Sequence, residues 1–236
     1  MANHILFMRG VVDGFGHISV RHPSDPQKFL LSRSRAPALV DRSDIGVYDL
    51  DGHALSHAAG TAAYVERFIH SEIYRTRPDV QAIVHSHSPS VIPFGVTGHR
   101  LRPVFHLSGF LGSGSASFEM RDHAAESDLL IRSPELGQAV AKALANHPCV
   151  LMRGHGSTVV GDSIEQAVWR AVYTEVNATL QASAMQLGEV NYLSEQESAL
   201  AATANDRQVA RTWELWAREL QDGAARHTVI ATGRGA

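Results

Sequence analysis

The stretch "VQAIVHSHSP", residues 80–89, is an apolar run that ends in two histidines one residue apart and is closed by Pro89. A short apolar run bounded by a proline reads as a buried strand. Residues two apart on a strand face the same side, so His85 and His87 share one face and Ser86 turns away. Two imidazoles placed this way can converge on one divalent cation, supplying two of three histidine ligands. The competing reading is one hydrogen-bonded core histidine beside an exposed one.

Outward from this strand the chain alternates between strand and helix patterns, with no internal repeat. Upstream, "GHISVRHP" sets Ile18 and Val20 against Ser19 and Arg21 and reads as a strand. "KFLLSRS" and "IGVYDLDG" follow as two more, spaced as a β-meander. From Gly60 the pattern becomes helical, with Ala63, Phe68 and Ile73 at helix spacing and Pro78 at the exit. Downstream, "SVIPFGVTG" is a short helix or loop. "SPELGQAVAKALANHP" carries an N-cap at Ser133, Pro134 in the first turn and an apolar stripe through Leu136, Val140 and Leu144. "CVLMRGHGSTVVG" reads as strand, Gly-His-Gly turn and strand, and a long amphipathic helix after it closes at Gly188. After a polar stretch from Glu189, "NDRQVARTWELWAREL" is the final helix, with Trp213 and Trp216 expected to pack rather than to cover a site. These elements predict one α/β domain over residues 1–222 and a mobile tail over 223–236.

Composition narrows the function classes. A hydrophobic share of 44% with 19% charged residues is that of a globular protein able to bury a core. A net charge of -3 supplies no electrostatic footprint for nucleic acid or an anionic membrane. No apolar stretch approaches the roughly 20 residues that span a bilayer. The opening "MANHILFMRGVVDGFGH" lacks the pattern of a secretory signal, and a single cysteine, Cys149, excludes an internal disulfide. Cytoplasmic location is the expectation, with Cys149 as a small core residue. Of 14 histidines, only those brought together by geometry bear on chemistry.

Two further segments can complete a site. "MRGHGSTVVG" presents His155 between two glycines after an apolar strand, a backbone able to turn sharply. A catalytic metal site uses three protein ligands and an open position, and His155 is the candidate third ligand. In "VERFIHSEIY", Glu66 and His70 lie four apart on a helical pattern and share a face. A carboxylate there can serve as a fourth ligand or as the acid–base group. The alternatives are an exposed turn histidine and an ordinary helix-surface pair.

Taken in order, Glu66-x-x-x-His70 with Ile73 and Tyr74, then "RPDVQAIVHSHSP", then "LMRGHGSTVVGDSIEQAVWRA" resembles the class II aldolase/adducin family, from about "DGFGHISVR" to Gly188. The resemblance implies a three-layer α/β/α fold with a mostly antiparallel central sheet. It implies a divalent metal ion (zinc, manganese, iron or cobalt) held by His85, His87 and His155, with a functional carboxylate at Glu66. It also implies a homo-oligomer, a tetramer with active sites at subunit interfaces. All four residues are present, which favours an enzyme over a metal-free scaffold.

Phosphosugar aldolases of the family build a neutral phosphate cradle from small polar residues. Here the corresponding segments read "DGFGHIS", "LSRSRAPALV" and "AAYVERF". They offer aromatic surface at Phe15 and Tyr64 and carboxylate-binding guanidinium groups at Arg33 and Arg35. These segments resemble the decarboxylase branch, which acts on substrates such as 3,4-dihydroxyphthalate or a hydroxypyridine dicarboxylate in aromatic catabolism. On that reading a small aromatic carboxylate is held by Phe15, His17, Ser19, Arg33, Ser34, Arg35 and Tyr64. Glu66 is the expected acid that protonates the ring, with His70 and His106 as further candidates. The alternative is a metal-dependent aldolase cleaving a non-phosphorylated hydroxy acid.

Overall fold

The computed structural model describes residues 1–56 and 61–232, with side chains described as far as residue 222. In chain order the elements are α1 (Ala2–Met8), β1 (His17–Arg21), β2 (Lys28–Ser32), β3 (Ile45–Asp49), β4 (Ala54–Ser56), α2 (Arg67–Thr76), β5 (Ala82–Ser86), α3 (Ile92–Val96), β6 (Ala116–Phe118), α4 (Pro134–Leu144), β7 (Cys149–Met152), β8 (Gly156–Gly161), α5 (Ile164–Leu187), α6 (Glu195–Asp206) and α7 (Val209–Thr232). The eight strands form one sheet in the order β4-β3-β2-β1-β5-β8-β7-β6. Every pairing is antiparallel except β6 with β7.

The period-two alternation of β5 sorts the core into two layers. Ala82 and Val84 pack with residues of α1, α5 and α7 on one face. Ile83 packs on the other with Phe68, Ile69 and Ile73 of α2 and Val140 and Leu144 of α4. Both faces of the sheet are thus covered, giving the expected three-layer α/β/α arrangement. Trp216 of α7 is buried in the first layer with Arg9 over its ring, a packing role.

β1 shows what a two-sided cover does to an alternating strand. Its apolar Ile18 joins the first layer, while His17, Ser19 and Arg21 on the other face are also buried, under α2. Buried polar groups must be hydrogen-bonded, and Arg21 donates to the carbonyls of Val80, Tyr74, Arg77 and Pro26. Register then lines up the polar residues. His17 pairs opposite His85, and His85 opposite Thr158, so three neighbouring strands carry them in one row.

The β-meander, both strands around the Gly-His-Gly turn and the caps at Ser133 and Gly188 are found where expected. The structure departs from the expected elements at three points. The helix predicted from Gly60 begins only at Arg67, because Ser34 N–H donates to the Ala62 carbonyl and Tyr64 Oη donates to the Arg35 carbonyl, tying 62–64 to the loop after β2. The polar stretch from Glu189 contains helix α6, started by a reciprocal Ser194–Glu197 capping box. The tail expected over 223–236 continues helix α7 as far as Thr232, and residues 233–236 lie outside the described residues. α1, β4 and β6 are additional to the elements legible in the sequence.

The two glycines around His155 have separate reasons. Gly154 adopts a left-handed φ of 66°, which an L side chain rarely tolerates. At Gly156 a Cβ would sit 2.2 Å from the Ser86 carbonyl oxygen, so β8 approaches the end of β5 too closely for any side chain. Gly156→Ala is expected to destabilise the fold by about 1–3 kcal/mol, lowering the melting temperature by roughly 2–10 °C. Thermal unfolding followed by circular dichroism measures this, and an unchanged midpoint would contradict the close-approach argument.

Candidate active site

The end of β5, the Gly-His-Gly turn and the chain entering α2 meet at one point. His85 Nε2 faces His87 Nε2 at 3.3 Å, and His155 Nε2 faces His87 Nε2 at 3.1 Å. Glu66 Oε2 lies 3.6 Å from His85 Nε2 and 3.5 Å from His155 Nε2. A tetrahedral zinc site with N-ligand bonds of about 2.0–2.1 Å has donor–donor edges of roughly 3.3 Å, so the four donors fit a divalent cation.

The outer hydrogen bonds support this fit, because they set which ring nitrogen carries the proton. His155 Nδ1 lies 2.9 Å from the Leu129 carbonyl, which can only accept; the proton is therefore on Nδ1 and Nε2 is a free lone pair. His85 Nδ1 lies 3.3 Å from Thr158 Oγ1, whose own proton is directed at Met152 Sδ. His85 thus donates from Nδ1 and turns a bare Nε2 to the cluster. Burial lowers the His85 pKa well below its ordinary value, and burial with the neighbouring His155 lowers that of His87. Both rings stay neutral, the form that ligates metal.

Glu66 stands at the N-cap of α2 rather than inside the helix, and its carboxylate has two tasks. Oε1 accepts from the Ile131 N–H at 3.0 Å, while Oε2 faces the histidines. Burial alone would raise its pKa. The imidazoles of His155 and His85 and the Ile131 N–H outweigh that and hold the carboxyl below the ordinary carboxylate range.

A cleft of about 320 Å³ opens over this cluster, lined by Gly14, Phe15, Gly16, His17, Ser34, Arg35, Ala36, Tyr64, Val65, Glu66, His87 and Leu130. A larger open groove of about 710 Å³, bordered by α2 and α4, is lined by Thr76, Arg77, Glu135 and Lys142 among others and contains none of the four cluster residues. In the smaller cleft Phe15 is 69% exposed, its ring centroid 6.2 Å from that of His87. The Tyr64 ring packs at 4.5 Å on His17. Arg35 Nη1 donates to Asp44 at 2.6 Å and to Asp41 at 3.3 Å. Among the described residues its Nε and Nη2 have no hydrogen-bond partner, and this two-pronged edge suits a carboxylate.

The structure brings Phe15, His17, Ser34, Arg35, Tyr64 and Glu66 to this cleft with His87, and places four other candidates outside its lining. Arg33 does not line the cleft; its Nε is tied to Asp44 Oδ1 at 2.5 Å. Ser19 is buried behind His17 with its hydroxyl shared between His70 and Tyr74. His70 is fully buried with both ring nitrogens engaged, and burial lowers its pKa to about 3, so it cannot hand a proton to a substrate. His106 is exposed on a 3₁₀ turn packed against α6 and does not line this cleft.

Asp44, the anchor of both arginines, is the N3 residue of a capping box with Asp41 on a short 3₁₀ turn, and that Asp-x-x-Asp spacing is the local signal that marks it. Buried to 3% exposure, it accepts from the Asp41 N–H and from Arg33 and Arg35, and its pKa falls to about 2 through these bonds, the Asp41 N–H first. A carboxylate depressed on folding contributes stability that is full above its ordinary value of 3.8 and is lost as pH falls through about 2. Asp44→Asn is expected to be less stable than the parent at neutral pH and to converge on it at about pH 2. Urea titrations at the two pH values check this, and a gap that persists in acid would refute it.

Comparison with known proteins agrees with this geometry. Residues 1–182 match the family model "Class II Aldolase and Adducin N-terminal domain". The chain is 40% identical over 243 aligned positions to Decarboxylase tropJ of Talaromyces stipitatus, covering 93% of this chain and 91% of that one. It is 34% identical over 201 positions to a 3,4-dihydroxyphthalate decarboxylase of Arthrobacter keyseri, covering 80% and 77%. Among solved structures, an aldolase II superfamily protein from Pseudomonas syringae superposes with a TM-score of 0.78 at 21% identity, covering 94% of this chain and 90% of that one, a likeness of fold. The donor cluster, the sheet that carries it and these similarities place the chain in the class II aldolase and adducin family.

Proposed function

We propose that the chain removes CO2 from a hydroxylated aromatic or pyridine ring that bears a second carboxylate, such as 3,4-dihydroxyphthalate. The coarser activity, that of a carboxy-lyase, rests on the decarboxylases to which the chain is similar over most of its length. The finer reading rests on one observation. The four-donor cluster lies at a cleft with aromatic walls at Phe15 and Tyr64 and an open guanidinium edge at Arg35. A role in aromatic catabolism belongs to this proposal and is supported by the dihydroxyphthalate decarboxylases alone.

A divalent cation held by His85, His87 and His155, zinc by the donor set, supplies Lewis-acid stabilisation of negative charge when bound. The chain's own groups do the rest. Phe15 and Tyr64 flank the ring, and the Nε/Nη2 edge of Arg35 pairs with the carboxylate that stays. Glu66, ionised, accepts the proton of a ring hydroxyl and then delivers it to the ring carbon that bears the departing carboxylate. The bond from that carbon to the carboxyl carbon breaks, its electron pair passes into the ring, and CO2 leaves. Solvent returns a proton to the ring oxygen, so one proton is consumed per turnover. Glu66 is therefore base first and acid second, a revision of the purely acidic role.

No helix among the described residues is long and apolar enough to cross a membrane. A cytoplasmic homo-oligomer, a tetramer with its clefts at subunit boundaries, is part of the proposal. It is supported by exposed apolar residues lining this cleft, Phe15 at 69% and Val65 at 41%. The experiment is product analysis with 3,4-dihydroxyphthalate and a hydroxymethylpyridine dicarboxylate, following CO2 and the ultraviolet spectrum of the ring. Stoichiometric CO2 with a decarboxylated ring supports the reading. No CO2 from either ring, with an aldehyde released from a hydroxy acid, would replace it with aldol cleavage.

A further inference from the structure

Behind the cleft, four buried side chains form an unbroken hydrogen-bonded line. Tyr74 Oη lies 2.8 Å from Ser19 Oγ, and Ser19 Oγ lies 2.6 Å from His70 Nδ1. His70 Nε2 lies 2.7 Å from His17 Nδ1. Exposure is 1% at Tyr74, 2% at Ser19, 0% at His70 and 4% at His17. The line runs from the interior to a ring that borders the cleft, since His17 is one of its walls.

Each member has one proton to place, and the closed end decides the order. The Tyr74 hydroxyl has Ser19 as its hydrogen-bond partner among the described residues. A buried hydroxyl proton left unpaired costs about 1–3 kcal/mol, whereas a spare oxygen lone pair is tolerated more readily. Tyr74 therefore donates to Ser19. The Ser19 proton must then go to His70 Nδ1, which makes His70 the Nε2–H tautomer, donating to His17 Nδ1. With Nδ1 accepting, His17 carries its own proton on Nε2. The reverse order would strand the Tyr74 proton and leave His17 Nε2 bare.

We propose that Tyr74, Ser19 and His70 are positioning residues that hold His17 as its Nε2–H tautomer, making it a fixed hydrogen-bond donor to an anionic oxygen of the ligand in the cleft. The assignment deepens the decarboxylase reading, on which the identity of that oxygen, a ring oxygen or carboxylate, rests. It also gives the cleft a selectivity. A ligand offering an ionised or carbonyl oxygen at this point is accepted, and one that must donate a proton there is rejected.

The tautomer can be read without turnover. In the zinc-loaded protein, long-range ¹H–¹⁵N correlation spectra of the imidazoles should show His17 Nε2 with a protonated, pyrrole-type shift and Nδ1 with a bare, pyridine-type shift. The opposite pattern in the parent protein would overturn the proposal, whatever the substrate proves to be. Tyr74→Phe and Ser19→Ala should each convert His17 to a mixture of tautomers, and Ser19→Thr, which keeps a hydroxyl, should restore the single form. Both disruptive variants should raise KM for the ring carboxylate about tenfold while changing kcat little, as for loss of a hydrogen bond to a charged group made equally in ground and transition states. An unchanged tautomer in a folded Tyr74→Phe protein would remove Tyr74 from the device. A normal NMR pattern with no decarboxylation would fault the functional reading and leave the tautomer assignment standing.

Discussion

Glu66→Gln is expected to lower kcat for decarboxylation by about 10²–10⁴-fold, the range carried by a positioned acid–base group, while the protein stays folded and retains metal. The substitution is nearly isosteric. A glutamine can still place a carbonyl oxygen on the Ile131 N–H, the contact that orients the side chain at 3.0 Å. Three histidine donors also remain. What disappears is the ability to take a proton from a ring hydroxyl and return it to carbon. Single-turnover kinetics with metal analysis of the same sample separates the two properties. Parental turnover in a metal-loaded Glu66→Gln protein would remove Glu66 from the chemistry.

His87→Ala is expected to weaken metal binding by more than the roughly 10–100-fold that loss of an outer hydrogen-bond partner costs, with activity lost in parallel. Its Nε2 stands within 3.1–3.3 Å of the other two imidazole nitrogens, so its loss cuts the cluster to His85, His155 and Glu66. The ring is only part-buried and lies beyond the end of β5, so its removal leaves the sheet intact. Thr158→Val supplies the internal comparison. It deletes the hydroxyl beside His85 Nδ1 and should cost metal affinity within the 10–100-fold range. Competition against a chromophoric chelator measures both, and equal affinities for parent and His87→Ala would contradict the assigned ligand set.

The parts of the site legible in the sequence are those carried by local periodicity. Two histidines two apart on a strand share a face whatever else the fold does, and a histidine between glycines announces a turn able to present it. Glu66 was legible as a carboxylate near the site, four residues from His70. The partners that orient these groups were not. Ile131 and Leu129 act through backbone atoms 65 and 26 residues from the side chains they bind, and a backbone N–H or carbonyl leaves no mark in the sequence. Asp44 is one acidic residue among several in its loop, and only the folded loop shows it drawing Arg33 away from the cleft.

The same distinction explains the fold. β1, β5, β7 and β8 follow from alternation and apolar runs, whereas β4 and β6 are three residues each and too short to show a period. His17 and Ser19 of β1 are expected at the cleft from the resemblance to the decarboxylase branch, and alternation sets both on one face of the strand. That pattern does not say which polar residues a helix will cover. Packing of α2 over β1 buries Ser19 and pairs His70 with His17, so two residues expected to meet substrate stand behind the one that borders the cleft.

If CO2 is lost from a ring carboxylate at the Glu66–His85–His87–His155 cluster, its release depends on the metal ion that these donors would hold. The most direct measurement is CO2 release from 3,4-dihydroxyphthalate by the same protein sample as purified, after chelation and after one equivalent of divalent metal is returned. Release is expected to stop on chelation and to be restored by that equivalent in the parent, while metal does not restore it in His87→Ala. Release that continues undiminished in a protein stripped of metal would contradict that dependence.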